Sequence, residues 1–475
     1  MRKLFFFLFI IALLPAAFHC DNGVVIDVCA PQRYGAPAPA AAPLHAKDGQ
    51  FRDARDGVVI LRGVNVAGDS KVPPFTPITS GAMLDPLPAW GFNTIRLLFT
   101  WEAFEPSRCT YEESYLEYYE RVVGWAAERG LYVIVDFHQD AFSRFSIDGC
   151  GEGFPQWAVT KEVALKTPDN GPACSSWGVK MIFDLSHHKT WEDFHGDKYG
   201  ARTRYLNMVE AVADRMSKHP NVIGYDLINE PWGTDTELYS LYEKVAEKIR
   251  GRHPNAMLFV PPHAIVSGGM ADNNIPMPDF GNFAYSPHYY DGSVILFQSW
   301  LGTDPAGSLD KLRATANAWR APLVLSEFGA PAMTKNVGGY MERLYAWLDR
   351  YWMSGTQWCY TPGWSDIAKD GWNTEDLSIV DDKGRPRANL ELRPYPQRVA
   401  GSPDTFLRGD GGFTLSWDNN SSAGSTVVYL PEGYAAGRQL RVILPDGAEG
   451  GCELSGLSLV CTIHGQGKVR VELVK

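Results

Sequence analysis

Eight short apolar runs recur between Gly57 and Trp364, and most of them are separated by stretches with one charged and one apolar face. The runs begin at Gly57, Phe92, Leu131, Val222, Met257, Phe283, Pro322 and Thr356. Runs of this length, rich in Val, Ile, Leu and Phe, are typical of buried parallel strands, and the amphipathic stretches are typical of crossover helices. The pattern predicts an α/β fold, a (β/α)8 barrel over residues 44–390.

Polar side chains with chemical capacity concentrate toward the ends of these runs. Arg96 lies late in the second, His138 and Asp140 close the third, Asn229 and Glu230 close the fourth, His288 and Tyr290 close the sixth, Glu327 closes the seventh, and Trp358 lies in the eighth. The catalytic groups of such barrels sit at the carboxyl ends of the strands. We therefore expect these side chains to converge on one cleft.

Glu230 and Glu327 follow the fourth and seventh runs, which places two carboxyl groups at one barrel mouth. A retaining glycosidase needs one carboxylic acid to protonate the leaving oxygen and one carboxylate to attack the anomeric carbon, about 5–5.5 Å away. We expect Glu230 to be the acid/base and Glu327 the nucleophile, kept ionised by Arg96 and Tyr290. The Asn229 amide is expected to bond a sugar 2-hydroxyl. Each glutamate alone fits a strand-end ion pair equally well; the two together favour catalysis.

The histidines do not form a metal-binding pattern. Neither a His-Glu-x-x-His motif nor a zinc-type cysteine pair occurs, and FDLSHHKTWEDFH, which contains His187, His188 and His195, is expected to be a loop. A lone histidine is usually a structural one, but His138 and His288 stand at predicted strand ends beside the carboxylates. We therefore expect both histidines to support the site, and we expect no metal and no cofactor.

The segments GFNTIRLLFTWE, DFHQD, LINEP, SPHYY, LSEFG and TQWCY resemble glycoside hydrolase family 5, a family of retaining barrels. The resemblance implies Glu230 as acid/base, Glu327 as nucleophile, and supporting roles for Arg96, His138, Asn229, His288, Tyr290 and Trp358. Within the family, GVNVAGDSKVPPF, FDLSHH and CYTPGWSDIAKDGWNTEDLSIVD are similar to the endoglycoceramidase branch. That branch implies cleavage of the β-linkage between an oligosaccharide and ceramide.

A glycolipid substrate needs polar groups on one side of the carboxylates and an apolar floor on the other. Asp69, Lys71 and Asp140 are candidates for sugar contacts. The candidates for the floor are Trp177, Trp364 and Trp372, with Phe142, Phe145 and Phe154 as a lipid slot. Aromatic faces stack on sugars as readily as they pack on lipid, and loop tryptophans also serve as ordinary core residues. These aromatics alone do not separate glycolipid from polysaccharide.

Both ends of the chain differ from the barrel. Residues 1–20 have the basic start and short apolar run of a signal peptide, with Cys20 as a less favoured lipid-anchor site, and the Ala/Pro-rich residues 21–43 indicate a linker. Export permits disulfides, and we expect Cys150 to pair with Cys174 and Cys452 with Cys461, with buried free thiols as the alternative. Short alternating runs over 391–475 predict an antiparallel β-sandwich, either a binding module or a packing partner for the barrel.

The formal net charge of -11 argues against nucleic acid as a partner. The partners we expect are a glycolipid substrate and, transiently, a membrane surface; the sequence leaves the oligomeric state open. The expected function is that of a secreted retaining endo-β-glycosidase acting between oligosaccharide and ceramide. The alternatives are an endoglucanase or a glucosyl- or galactosylceramide hydrolase of family 5, or a catalytically silent glycan- or lipid-binding barrel.

Overall fold

The structure is a computed structural model that describes residues 43–269 and 271–475, together with Cys29 and Tyr34. The expected signal peptide, the anchor position Cys20 and all but three residues of the expected linker lie outside the described residues. None of the helices in the described ranges combines the length and the apolar character needed to cross a bilayer.

The described chain begins with three short antiparallel strands, β1 (Leu44–Lys47), β2 (Gln50–Asp53) and β3 (Val58–Val59). The first predicted barrel strand is therefore split, because Val58 and Val59 belong to this other sheet and the barrel strand starts only at Arg62. Apolar side chains of these strands, Leu44, Phe51 and Val59, pack in one buried cluster with residues of the barrel strands. The three strands thus contribute to the barrel's core.

The barrel is a ring of parallel strands. They are β4 (Arg62–Val66), β5 (Thr94–Thr100), β6 (Tyr132–His138), β7 (Val222–Asp226), β8 (Met257–Val260), β9 (Phe283–Tyr285), β10 (His288–Tyr289), β11 (Val324–Phe328) and β12 (Ser354–Tyr360). The sixth predicted strand is interrupted at Ser286 and Pro287 and forms β9 and β10. Because β9 pairs with β8, β10 pairs with β11, and a bridge joins Tyr285 to Leu323, the ring closes. The predicted barrel is confirmed.

Helices connect the strands. They are α1 (Pro86–Ala89), α2 (Trp101–Phe104), α3 (Glu113–Glu128), α4 (Trp177–Phe183), α5 (Leu185–His195), α6 (Ala201–Met216), α7 (Asp235–Arg250), α8 (Gly292–Phe297), α9 (Ala306–Trp319) and α10 (Val337–Arg350). At the start of α7, Thr234 and Glu237 form a reciprocal capping box, which satisfies two backbone N–H groups that have no partner within the helix.

The histidine-rich segment is helical, so the expected loop is wrong. Asp184 precedes α5, and its Oδ1 accepts the backbone N–H groups of Ser186 and His187. An aspartate in this position satisfies orphan donors and starts a helix despite the polar sequence that follows. The result places His187 and His195 on a buried face of α5, while His188 is exposed.

The C-terminal region is built from antiparallel strands, as expected. They are β13 (Tyr395–Val399), β14 (Gly401–Gly409), β15 (Gly412–Asn419), β16 (Thr426–Tyr429), β17 (Gln439–Ile443), β18 (Glu449–Ser455), β19 (Ser458–His464) and β20 (Gly467–Val474). One sheet has the order β14-β15-β20-β17, and the other has the order β1-β2-β3-β13-β16-β19-β18. Phe413, Trp417 and Leu459 belong to the buried cluster of this region. The larger sheet therefore contains strands from both ends of the chain.

Three disulfides are present among the described residues. Cys150–Cys174 joins two points of the long segment after β6, and Cys452–Cys461 links β18 to β19, which confirms both expected pairs. The third, Cys29–Cys109, was not expected from the sequence.

Candidate active site

Arg96 is the centre of the site's polar network. The sequence predicted a position near the strand's end, but Arg96 is the third residue of β5. Its side chain is fully buried. Its guanidinium donates to Asn65 (2.9 Å), Asp136 (2.9 Å), Asp226 (3.0 Å), Asn229 (2.8 Å) and Glu327 (2.7 Å). The length of the side chain carries the charge from mid-strand to the carboxylates. One cation thus serves three carboxylates and fixes the orientation of Glu327.

Burial around this network controls the proton affinities. Burial opposes the charge on Arg96, but Asp136, Asp226 and Glu327 outweigh it and raise the pKa of the guanidinium. Burial also raises the pKa of Asp226 to about 7, against the effect of Arg96 and with the help of the nearby Asp136. The guanidinium of Arg96 therefore limits a rise in the pKa of Asp226 that burial and the neighbouring carboxylate would otherwise make larger.

Glu327, the fourth residue of β11, accepts hydrogen bonds at both oxygens of its side chain. Arg96 donates to Oε1, and the hydroxyl of Tyr290 donates to Oε2 over 2.9 Å. The ring Nδ1 of His288 lies 3.4 Å from the same Oε2. Since both oxygens face donors and the side chain is only 6% exposed, the carboxylate is oriented and largely shielded from bulk water.

Glu230 lies four residues beyond the end of β7 and has the environment of an acid. Its Oε1 contacts His288 Nδ1 at 2.8 Å. Burial raises the pKa of Glu230, the contact with His288 opposes that rise, and the charge of Glu327 adds to it. Burial opposes the charge on His288, but Glu327 and Glu230 together raise its pKa. The raised pKa of Glu230 suits the acid/base role expected from the sequence.

The two catalytic candidates are close together. A carboxylate oxygen of Glu230, one of Glu327 and a ring nitrogen of His288 all lie within 4.8 Å of one another. The two glutamates are almost a hundred positions apart in the sequence, and the closed ring brings them together at the carboxyl ends of β7 and β11, which are not adjacent strands.

A second polar cluster lies beside the pair. His138 ends β6, and its Nδ1 contacts Asp136 at 2.7 Å, while its Nε2 lies 3.5 Å from carboxylate oxygens of both Asp140 and Glu152. Burial opposes protonation of His138, but Asp136 and Asp140 raise its pKa to about 10. Lys71 donates to Asp140 and holds the pKa of that carboxyl, which burial would raise, below its usual range.

In the part of the chain that the structure describes, two sets of side chains have ligand atoms close enough for one cation: His138 with Asp140 and Glu152, and Glu230 with His288 and Glu327. The first set already holds the ammonium group of Lys71, and the second holds the catalytic candidates. The absence of a metal stays a prediction.

A cavity of about 260 Å³ opens between these groups and the surface. Seven residues named from the sequence line it: Lys71, Asp140, Trp177, Glu230, Tyr290, Glu327 and Trp358. Lys71 Nζ lies 4.4 Å from the centre of the Trp358 ring and 4.0 Å from that of Trp372. Arg96, His138, Asn229 and His288 do not line the cavity, so they act on the residues that do.

Asn229 has protein partners at both ends of its amide. Its Oδ1 accepts from Arg96, and its Nδ2 donates to the carbonyl of Gln139 (3.0 Å) and lies 3.3 Å from Asp140 Oδ1. The sugar contact expected of this amide stays a prediction, and in the structure the side chain ties the end of β7 to the end of β6.

Some aromatic residues do not have the expected role. Phe142 and Phe154 are fully buried and pack against each other with ring centres 4.4 Å apart, so they belong to the core rather than to a lipid slot. Trp364 and Trp372 are also buried. Trp177 stands at the cavity wall, where its indole N–H donates to Glu375 over 3.1 Å.

Several lining residues were missed. Glu375 and Leu377 lie in the long loop after β12, and Val179, Ile295 and Leu296 lie on α4 and α8. Burial raises the pKa of Glu375 to about 7, although Lys71 opposes that rise. No strand end marks these positions. The only sequence signal was the apolar character of short helices within loops.

A proton donor and a carboxylate facing one cavity at the mouth of a (β/α)8 barrel define a glycoside hydrolase. The chain belongs to glycoside hydrolase family 5: the family profile described as Cellulase (glycosyl hydrolase family 5) matches residues 53–364, and that of the Glycoside hydrolase family 5 C-terminal domain matches residues 393–471.

The chain is similar to two endoglycoceramidases, one compared by sequence and the other by structure. Endoglycoceramidase I of Rhodococcus hoagii (strain 103S) is 25% identical over 443 residues, covering 84% of this chain and 83% of the relative. The ganglioside GM3 complex of endo-glycoceramidase II from Rhodococcus sp. has a TM-score of 0.73 at 24% identity, covering 90% and 99% of the two chains. The lactosyl-enzyme intermediate of the same enzyme has a TM-score of 0.70 at 25% identity, covering 89% and 98%.

Proposed function

We propose that this protein is a secreted retaining endo-β-glycosidase that hydrolyses the bond between the oligosaccharide and the ceramide of glycosphingolipids. The observation that carries the proposal is the cavity itself. It joins the Glu230–Glu327 pair to polar groups, Lys71, Asp140 and Glu375, and to apolar side chains of α4 and α8. A substrate with a sugar head and a lipid tail matches both parts.

The separation of the glutamates supports the retaining mechanism. Retaining pairs stand about 5–5.5 Å apart and inverting pairs about 6.5–9.5 Å apart, because inversion must leave room for a water molecule. Oxygens of Glu230 and Glu327 lie within 4.8 Å of each other. The covalent lactosyl intermediate of a relative supports the same chemistry.

In the first step, Glu327 attacks the anomeric carbon while Glu230 transfers its proton to the glycosidic oxygen, so that ceramide leaves with its hydroxyl group restored. In the second step, Glu230 removes a proton from water, and the resulting nucleophile displaces Glu327 from the sugar. The two inversions restore the β-configuration. Arg96 and Tyr290 orient Glu327 for attack. Their hydrogen bonds also stabilise the negative charge that Glu327 regains when the covalent bond breaks.

The lipid part of the proposal rests on what we name the apolar rim: Val179, Phe183, Leu185, Ile295, Leu296, Phe297 and Leu301. Val179, Ile295 and Leu296 line the cavity, and each of the others lies within six positions of one of them in sequence. Phe183, Leu185, Phe297 and Leu301 have between 74% and 81% of their surface exposed. Contiguous exposed apolar side chains mark interaction sites. We take the occupant to be the lipid surface that contains the substrate.

Secretion is proposed from two observations. The first twenty residues have signal-peptide proportions. Three disulfides join described cysteines, and such bonds persist in oxidising compartments outside the cytosol.

The function is tested by incubating the protein with lactosylceramide in detergent micelles and identifying every product by mass. Intact lactose and ceramide are expected. Galactose with glucosylceramide would indicate an exo-acting enzyme. In separate incubations, cleavage of glucosylceramide alone would indicate a ceramide monohexoside hydrolase and cleavage of cello-oligosaccharides alone an endoglucanase. Binding without products would indicate a silent barrel. Glu327→Gly serves as the inactive control.

The apolar rim is tested separately with lactosylceramide in phospholipid vesicles. Phe297→Ser and Leu301→Ser should each lower the rate on vesicles about tenfold, the equivalent of about 1.4 kcal/mol of lost apolar burial. Their rates on a soluble aryl β-lactoside should equal that of the unaltered protein. Leu407→Ser is the matched control, because Leu407 is 67% exposed but lies on β14 in the C-terminal region. Lipid docking at the rim would be refuted if Phe297→Ser and Leu301→Ser acted on vesicles as fast as Leu407→Ser and the unaltered protein.

A further inference from the structure

The backbone of Glu230 adopts an unfavourable conformation. Its φ is +36°, in the left-handed region that residues with a Cβ atom rarely occupy. Such a conformation costs on the order of 1–2 kcal/mol for a residue other than glycine, and it persists only where neighbouring groups hold it. Because the carboxyl group of Glu230 must reach a substrate oxygen, the groups that hold this backbone also determine where the proton is delivered.

The side chain of Gln139 is bound to this backbone. It is buried immediately after β6, and its Nε2 donates to two successive carbonyls, those of Asn229 (2.7 Å) and Glu230 (3.1 Å). Its Oε1 accepts the N–H of Phe142 over 2.7 Å. In return, Asn229 donates its side-chain amide to the carbonyl of Gln139 over 3.0 Å. The bonds to Asn229 and Phe142 are buried and the bond to the Glu230 carbonyl is partly buried, so an unmade bond would leave a polar group shielded from water without a partner.

We propose that Gln139 is a positioning residue for the acid/base: its amide holds the strained Asn229–Glu230 backbone and so places the Glu230 carboxyl between His288 and the leaving oxygen. The inference rests on the proposed acid/base role of Glu230. Gln139 does not line the cavity and needs no contact with substrate. Its effect on proton transfer passes through Glu230, and this separates it from a residue that merely stabilises the fold.

The chemistry of the clamp explains why a glutamine is needed. One end of the side chain must donate to two carbonyls while the other end accepts an N–H. Methionine has nearly the same length and shape but has no donor. Glutamate has the same shape, but it can donate only when it is protonated, because an ionised carboxylate is an acceptor at both oxygens.

The first experiment compares aryl β-lactosides with good and poor leaving groups, so its outcome does not depend on the lipid specificity of the enzyme. A 2,4-dinitrophenyl group leaves without help from an acid, whereas a phenyl group needs protonation. Gln139→Met should lower kcat/KM about 100-fold on the phenyl substrate, the loss typical of a misplaced catalytic group, and less than about threefold on the dinitrophenyl substrate. Equal losses on both substrates would overturn the proposal. Gln156→Met, at an exposed glutamine, is the matched control.

The second experiment tests whether Gln139 acts through Glu230. In a Glu230→Ala background, Gln139→Met should cause no further loss on the phenyl substrate, since the group that it positions is gone. Losses that multiply would show an independent role and overturn the proposal.

Gln139→Glu gives a third readout that holds even if the methionine variant folds poorly. Its activity on the phenyl substrate, relative to that of the unaltered protein, should rise as the pH falls, because protonation of the new carboxyl restores a donor. A ratio that stays constant from pH 8 to pH 5 would exclude the clamp. If the unaltered protein cleaved aryl lactosides but not lactosylceramide, the proposed function would fail while these tests of Gln139 would stay valid.

Discussion

Replacing Arg96 with methionine keeps the volume of the side chain and removes the one cation that faces three buried carboxylates. Asp136, Asp226 and Glu327 would then have no opposite charge within salt-bridge distance among their described neighbours, apart from the histidines His138 and His288. Removing one member of a buried ion pair costs about 3–5 kcal/mol. A carboxyl group can escape this cost by taking a proton, but at pH 7 protonating a group with an ordinary pKa near 4 costs about 4 kcal/mol.

Both estimates agree, so Arg96→Met should lower the free energy of unfolding at pH 7 by about 4 kcal/mol or more. The deficit should depend on pH. An orphaned carboxyl has a raised pKa in the folded state, so stability is lost as the pH rises above the unfolded pKa. Between pH 7 and pH 5, the deficit should therefore shrink by about 2.7 kcal/mol for each carboxyl that is protonated.

The assay is urea denaturation of Arg96→Met and of the unaltered protein at pH 5 and pH 7, with unfolding monitored by tryptophan fluorescence. Arg441→Met is the control, because Arg441 is 72% exposed and its ion pair with Glu472 is long, at 3.9 Å. This variant should change the free energy of unfolding by no more than about 0.5 kcal/mol at both pH values. The reasoning would be refuted if Arg96→Met cost less than about 1 kcal/mol at pH 7, or if its deficit were the same at pH 5.

Three further predictions concern the catalytic pair. Glu327→Gly should abolish hydrolysis with an unchanged circular dichroism spectrum, and with an α-lactosyl fluoride donor it should join lactose to a sphingoid acceptor; full hydrolysis would exclude Glu327 as nucleophile. Glu230→Ala should keep most of its kcat/KM on dinitrophenyl lactoside and only a small residual kcat/KM on phenyl lactoside, since only the latter needs a proton to leave; equal loss would contradict an acid role. Because burial raises the pKa of Glu230, kcat/KM should fall as the pH rises through that pKa, and Glu230→Ala should lack this alkaline limb.

Periodicity was sufficient for the barrel because most of its strands lie within largely apolar runs, and the strand-end rule was sufficient to predict that Glu230 and Glu327 face one cavity. The same rule misplaced Arg96, since a long side chain can act at the mouth from the middle of a strand. It also passed over Asp226, the last residue of β7, which lies inside an apolar run and has no motif around it. Glu375 was missed because position in a long loop depends on tertiary contacts.

Two errors in secondary structure have local physical causes. Val58 and Val59 have the composition of the barrel strand that follows them, but they pair with β2 and with β13, which is far away in sequence, and so belong to another sheet. The polar residues of α5 suggested a loop, although Asp184, the residue that begins the helix, was visible in the sequence. Long-range pairing cannot be seen in a local pattern, whereas a capping residue can.

The pairing of β3 with β13 has a consequence for the time course of folding. The edge of β3 finds its partner only after nearly the whole chain has been synthesised, which at about 5–20 residues per second means an interval on the order of tens of seconds. Until then, a row of backbone donors and acceptors near the amino terminus is open to other strands. A nascent chain of this kind depends on being kept apart from its neighbours until its last domain has emerged.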